Sequence, residues 1–127
     1  MIAIGSDHGG FELKGHIIEH LKEKGIEVKD FGTYSEASVD YPDCAKPVCK
    51  AVLDGECECG ILICGTGIGI SMAANKFKGI RAALCGDVFS AKMSKEHNNA
   101  NVICLGGRVL GRELANMIVD TYLEAEF

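Results

Sequence analysis

Five short apolar runs alternate along the chain with segments of helical period, and no other feature narrows the possible folds as much. The chain opens on "IAIGSD", and "IEVKDFG", "CGILICG", "IRAALCG" and "NVICLGG" follow it. Between the first two lies "GGFELKGHIIEHLKEKG", where Leu13, Ile17 and Leu21 recur at four-residue intervals and Gly25 supplies a stop. That spacing predicts a helix. Proline is tolerated in a first helical turn, so a second helix is expected from Pro42 to about Leu53. "IGISMAANKF", "DVFSAKMSKEHN" and "GRELANMIVDTYLEAEF" read as three further helices, and "TYSEASVDYP" as a polar loop. Strands alternating with helices imply a parallel α/β sheet covered on both faces. The runs are continuous rather than alternating, as strands buried on both sides should be. At 127 residues, with no repeat and no internal boundary, one domain over 1–127 is expected. The pattern leaves strand order open. It does place function, at the loops beyond the carboxyl ends of the strands.

Composition removes several classes of function. A net charge of −5 with no local block of basic residues argues against a nucleic-acid partner. No apolar run is long enough to cross a bilayer, and "MIAIGSDHGG" lacks the pattern of a secretion signal. A cytoplasmic location is therefore expected. The seven cysteines form no C-x-x-C pair, and Cys57 and Cys59 stand too close for a structural zinc knuckle. Reduced thiols, mostly small buried residues, are the expected use.

Three of the carboxyl-end loops carry an unusual polar load: "GSDHGG" with Asp7 and His8, "CGTGIG", and "LGGRVLG" with Arg108. In the middle one, Gly65, Gly67 and Gly69 alternate with Thr66 and Ile68 just before a helix. Such a loop can turn several N–H groups toward one anion, aided by the helix N-terminus. It is neither G-x-G-x-x-G, since Ile70 takes the sixth place, nor a Walker A loop. A tight strand-to-helix turn that binds nothing explains the glycines equally well. Cys64 shifts that balance. A thiol on the last strand residue, beside converging amides, favours the thiolate and could serve as nucleophile or base. Cys85 and Cys104 occupy comparable strands as plain filler would, but only Cys64 abuts the glycine loop.

His8, with Asp7 beside it, and His97, with Asn98 beside it in "KEHNNAN", are expected at the same rim. A solvated loop is the plainer account of each histidine, but two of four at rim positions favour a site. Arg108, flanked by glycines, suits close approach to an oxyanion or phosphate, or is a surface charge. "HIIEH", His16 to His20, matches the H-x-x-E-H spacing of a zinc peptidase family. Its helix carries Lys14, Lys22 and Glu23 as an exposed face would, and no third ligand is evident, so no metal is expected.

"SDHGGFELK", "DYPDCA", "GILICGTGIGISMAANKFKGIRAAL" and "KEHNNANVICLGGR" together resemble the type B ribose-5-phosphate isomerases, a family that also holds galactose-6-phosphate isomerase subunits. The resemblance runs in order over nearly the whole chain. It implies a three-layer α/β/α Rossmann-like sandwich with a five-stranded parallel sheet. It also implies cofactor-free aldose–ketose isomerisation, and homodimers or homotetramers with active sites at the subunit interface. On this resemblance Cys64 is the base that moves a proton between C2 and C1, and His97 opens the furanose ring. Asp7 and His8 bind substrate, His8 near the phosphate. Gly65, Thr66, Gly67, Ile68 and Gly69 hold the enediolate oxygens, Thr66 helping within the loop. Asn98 and Arg108 make further substrate contacts.

One departure stands out. Family members extend past the last helix into a basic tail whose arginines clamp the phosphate, whereas no arginine follows Arg112 before Phe127. Either the chain is trimmed or His8 and Arg108 hold the phosphate with weaker support. The leading expectation is interconversion of ribose 5-phosphate and ribulose 5-phosphate. A six-carbon sugar phosphate such as galactose 6-phosphate or allose 6-phosphate is the alternative substrate. A non-catalytic phosphate-binding module and a thiol redox sensor are the alternatives from other classes.

Overall fold

The structure is a computed structural model that describes residues 1–34, 37 and 39–127. Its strands are β1 (Ile2–Ser6), β2 (Val28–Asp30), β3 (Cys59–Cys64), β4 (Ala82–Leu84) and β5 (Val102–Gly106). Between and after them run the helices α1 (Phe11–Glu23), α2 (Tyr41–Leu53), α3 (Ile68–Ala74), α4 (Val88–Glu96) and α5 (Arg112–Glu124). Every expected element is present in the expected order. The polar loop after β2 is only partly within the described residues, since positions 35, 36 and 38 lie outside them.

All pairings are parallel and the strand order is β2-β1-β3-β5-β4. Side chains alternate between the two faces, as strand geometry requires. Ile2, Ile4, Ile61, Ile63, Ile103 and Leu105 pack under α1, α4 and α5. Ala3, Leu62, Cys64, Val102 and Cys104 pack under α2 and α3. Steps to one side of the sheet place their helix on one face and steps back place it on the other, which gives the three-layer α/β/α sandwich. No described helix is long and apolar enough to cross a membrane.

The short edge strand β4 is covered by a side chain that acts as a strand would. Asn75 donates through Nδ2 to the Ala82 carbonyl at 2.9 Å and accepts the Ala82 N–H at 2.8 Å. An exposed edge is thereby blunted. On the opposite face α1 and α5 are clasped where His20 Nε2 lies 2.8 Å from Asp120 Oδ1 and Lys24 Nζ lies 3.0 Å from Oδ2. The H-x-x-E-H spacing thus serves helix pairing at His20, and His16 is left against Glu12 at 4.0 Å. Among the described residues no three His, Cys, Asp or Glu groups are placed to hold a metal ion.

Candidate active site

The chain leaves β1 toward one edge of the sheet and β3 toward the other, so the loops after these adjacent strands diverge and open a crevice between them. In the first loop, Asp7 is buried and caps a 3-10 turn at His8–Gly10. Its Oδ1 accepts the N–H groups of Gly9 at 2.8 Å and Gly10 at 3.2 Å, while its own N–H donates to the Ile63 carbonyl at 3.1 Å. This short polar side chain meets backbone donors that no strand partner could reach. His8 is half-buried, and its Nδ1 accepts the Val39 N–H at 3.2 Å. That bond assigns the neutral ring's proton to Nε2.

The loop after β5 is stitched onto the other two. Gly107 donates to the Cys64 carbonyl at 2.8 Å and Arg108 to the Gly65 carbonyl at 3.0 Å. A side-chain carbon at Gly107 would stand 2.6 Å from the Gly9 carbonyl oxygen, so only glycine lets these loops touch. The exposed Arg108 side chain lies over Gly65, its guanidinium 3.5 Å from where a Cβ there would sit.

Cys64 ends β3 beneath this rim with 5% of its surface exposed. The Gly67 N–H donates to its Sγ at 3.2 Å. Gly67 adopts a left-handed φ of 82° as the N-cap of α3, a conformation that favours glycine. The exposed Thr66 accepts the Ile68 N–H through Oγ1 at 3.2 Å, and Gly69 and Ile70 follow in the first turn of α3, where helix geometry leaves N–H groups free. A Cβ at Gly67 would also meet Leu84 Cδ1 at 2.5 Å and the Leu105 carbonyl carbon at 2.9 Å. Gly67→Ala is therefore expected to cost about 2 kcal/mol of stability from φ strain and overlap. Urea unfolding measures this.

The remaining thiols behave as filler. Burial pushes Cys49 and Cys59 up to about 11, raises Cys44, Cys57 and Cys85, and lifts Cys104 well above the ordinary thiol range. These groups stay protonated at neutral pH.

The structure brings Asp7, His8, Cys64, the Gly65–Gly69 loop and Arg108 to one rim, but it puts His97 and Asn98 at the other. This corrects the expectation that all of them share an edge. α4 runs back from the carboxyl end of β4, so His97, its C-cap, emerges where β5 begins. The turn there is tied to the starts of β3 and β4: Gly60 donates to the Asn101 carbonyl, and Asn101 to that of Arg81. The five residues of β5 separate the two rims by about 13 Å at strand rise. Both side chains are exposed, and within one chain neither reaches Cys64.

Two contributors were not singled out in the sequence. Tyr41, in the Asp-Tyr-Pro start of α2, lays its ring over Gly69, 2.9 Å from a Cβ placed there. Lys14 was read as part of an exposed face, yet it is 2% exposed. Its Nζ donates to Asp30 Oδ1 at 2.8 Å and to the Thr33 carbonyl, and it stands 5.5 Å over the Phe11 ring and 5.3 Å over the Tyr34 ring. Thr33 in turn donates to the Ser6 carbonyl at 2.7 Å, so the pair pins the loop after β2 beside Asp7. Asp30→Ala is expected to cost about 2–3 kcal/mol by leaving a buried ammonium unpaired. Chemical denaturation tests it, and Lys14→Met in the same chain should recover part of the loss.

The family described as Ribose/Galactose Isomerase matches residues 2–127. Ribose-5-phosphate isomerase B of Escherichia coli is 56% identical over 126 residues, spanning 99% of this chain and 85% of that protein. Galactose-6-phosphate isomerase subunit LacB of Clostridium acetobutylicum is 48% identical over 127 residues, spanning 100% of this chain and 73% of that protein. The solved structure of Clostridium thermocellum ribose-5-phosphate isomerase B superposes with a TM-score of 0.98 at 60% identity, over 99% of this chain and 85% of that one.

Proposed function

The chain belongs to the ribose/galactose isomerase family, and from that membership we propose that it interconverts ribose 5-phosphate and ribulose 5-phosphate through an enediolate. The observation that carries the reading is Cys64: a buried sulfur at the switch-point crevice, with the Gly67 N–H aimed at it from 3.2 Å. In this reading the Cys64 thiolate takes the proton from C2 of the open-chain aldose. The C–H electron pair forms the C1–C2 double bond and the carbonyl pair moves onto O1. Free N–H groups of the Gly65–Gly69 loop hold that developing charge, each donor contributing about 3–4 kcal/mol on the oxyanion-hole scale. Reprotonation at C1 by the same thiol, with the O2 proton passing to O1, gives the ketose. Thr66 fixes the loop through its bond to Ile68. Asp7, His8 and Arg108 face the crevice as substrate contacts, Arg108 and His8 suiting the phosphate.

A ring-opening role for His97 requires a second copy of the chain. His97 then donates a proton to the ring oxygen as the C1–O bond breaks and the C1 hydroxyl loses its own, with Asn98 beside it. The separation of the two rims supports a site shared between protomers, as does the apolar surface around the Cys64 rim. There Ile68, Leu84 and Val109 are 47%, 45% and 67% exposed, and Met72 of α3 is 64% exposed. A homodimer or homotetramer completes the site.

The test is ketose formation from a panel of five- and six-carbon aldose phosphates. Preference for ribose 5-phosphate is expected. Preference for galactose 6-phosphate would instead favour the six-carbon reading, to which the similarity to the LacB subunit lends support. Turnover is expected to survive excess EDTA, because no step above uses a metal; loss of turnover restored by zinc would overturn that.

A further inference from the structure

The turn that carries His97 and Asn98 is held from three sides, two of them through side chains. α4 ends by donating Asn98 N–H to the Met93 carbonyl at 3.2 Å and Ala100 N–H to that of Ser94 at 2.8 Å. Tyr122 of α5 donates its hydroxyl to the Ala100 carbonyl at 2.7 Å from inside the core. The third tie comes from the segment before β4. Arg81 Nε–H donates to the Asn98 carbonyl at 2.8 Å, and the Arg81 N–H donates to Asn101 Oδ1 at 2.8 Å. Asn101 reaches on through Nδ2 to the Gly79 carbonyl at 2.9 Å. Between them Asn99 takes a left-handed φ of 51°, with Lys95 donating to its Oδ1 at 3.3 Å. Such a conformation is uncommon outside glycine and needs support from its surroundings.

The Asn98, Ala100 and Asn101 carbonyls and the Asn99 and Asn101 side chains are thus engaged, while the His97 ring and Asn98 side chain make no hydrogen bond with the described residues and stay exposed. Among the described residues, Arg81 is the one side chain that hydrogen-bonds Asn98 itself. The guanidinium plane gives its Nε–H a fixed direction that a lysine ammonium cannot reproduce.

We propose that Arg81 is a positioning residue for ring opening: by clamping the Asn98 carbonyl it sets the direction in which His97 and Asn98 project into the site of the partner protomer. This rests on the reading of His97 as the ring-opening group in trans. Arg81 touches no reacting atom in this account, so its loss should injure ring opening and spare proton transfer at Cys64.

Two substrates separate those steps. Ribose 5-phosphate closes a furanose ring, whereas D-erythrose 4-phosphate cannot, since its C4 oxygen carries the phosphate. Steady-state kinetics of the full-length oligomer would compare Arg81→Gln, Arg81→Lys and His97→Asn on both. Arg81→Gln is expected to lower kcat on ribose 5-phosphate about 20-fold and on erythrose 4-phosphate less than about threefold, the scale of a misplaced catalytic group. Arg81→Lys should fall between Arg81→Gln and wild type on the cyclic substrate, with thermal melting close to wild type. If His97→Asn discriminates between the two substrates but Arg81→Gln loses equally on both, the clamp is structural only and the proposal fails alone. If His97→Asn itself does not discriminate, the ring-opening reading fails and the proposal with it.

Discussion

Replacing Cys64 by alanine is expected to lower turnover by about a thousandfold or more, the upper part of the range for a positioned general base. Stability should fall by only about 1–2 kcal/mol. The thiol is small and lies at the end of β3, so its removal leaves only a shallow gap next to α3, and the Gly67 N–H loses one acceptor. Substrate binding should persist, because Asp7, His8 and Arg108 are carried by other loops. The expected signature is therefore a collapse of kcat with KM changed only slightly, which marks an interaction made in the transition state alone. A redox-sensor reading makes a different forecast: no turnover in the wild type, and reversible oxidation of Cys64. A binding module would hold the sugar phosphate and return it unchanged.

The second large effect is a recovery. Cys64→Ala and His97→Asn oligomers should each be nearly inactive on ribose 5-phosphate alone. When the two are unfolded together, mixed and refolded as dimers, random pairing makes half of the molecules hybrids, each with one intact site of two. Activity is expected to return to about a quarter of wild type, as the two-fold symmetry of a shared site requires. No recovery from correctly folded hybrids would mean that both groups act within one chain, against the placement of His97 and Cys64 at opposite ends of the strands.

Much of this arrangement was legible in the residues, for identifiable reasons. The runs of β1, β3 and β5 announced themselves because strands buried on both faces need no polar alternation. The half-buried edge strands β2 and β4 followed from the alternation with helices, and the Asp7, Cys64 and Gly107 loops were located by the rule that places function beyond strand ends. His97 was misplaced because that rule was stretched to a residue that ends a helix. α4 returns to the start of β5, so its C-terminus belongs to the other rim. Strand order supplies the switch point between β1 and β3, and periodicity carries no information about it. Lys14 was misjudged because helical spacing placed it among charges. Its burial depends on Asp30 and Thr33, which approach only once β2 pairs with β1. Tyr41 left a faint trace in "DYP", but its contact with Gly69 joins two helices that sequence spacing cannot relate. The roles assigned to these side chains came from the resemblance, which the family match then bore out at the level of the fold and the isomerase class.

Proton transfer at Cys64 is the centre of the account, and solvent-isotope incorporation tests it most directly. Ribose 5-phosphate would be converted in D2O and the ribulose 5-phosphate formed read by NMR at C1. The account predicts deuterium at C1 in product made by the wild type, and loss of both product and incorporation in Cys64→Ala. Ketose formed by Cys64→Ala at the wild-type rate, with the same deuterium content, would contradict it.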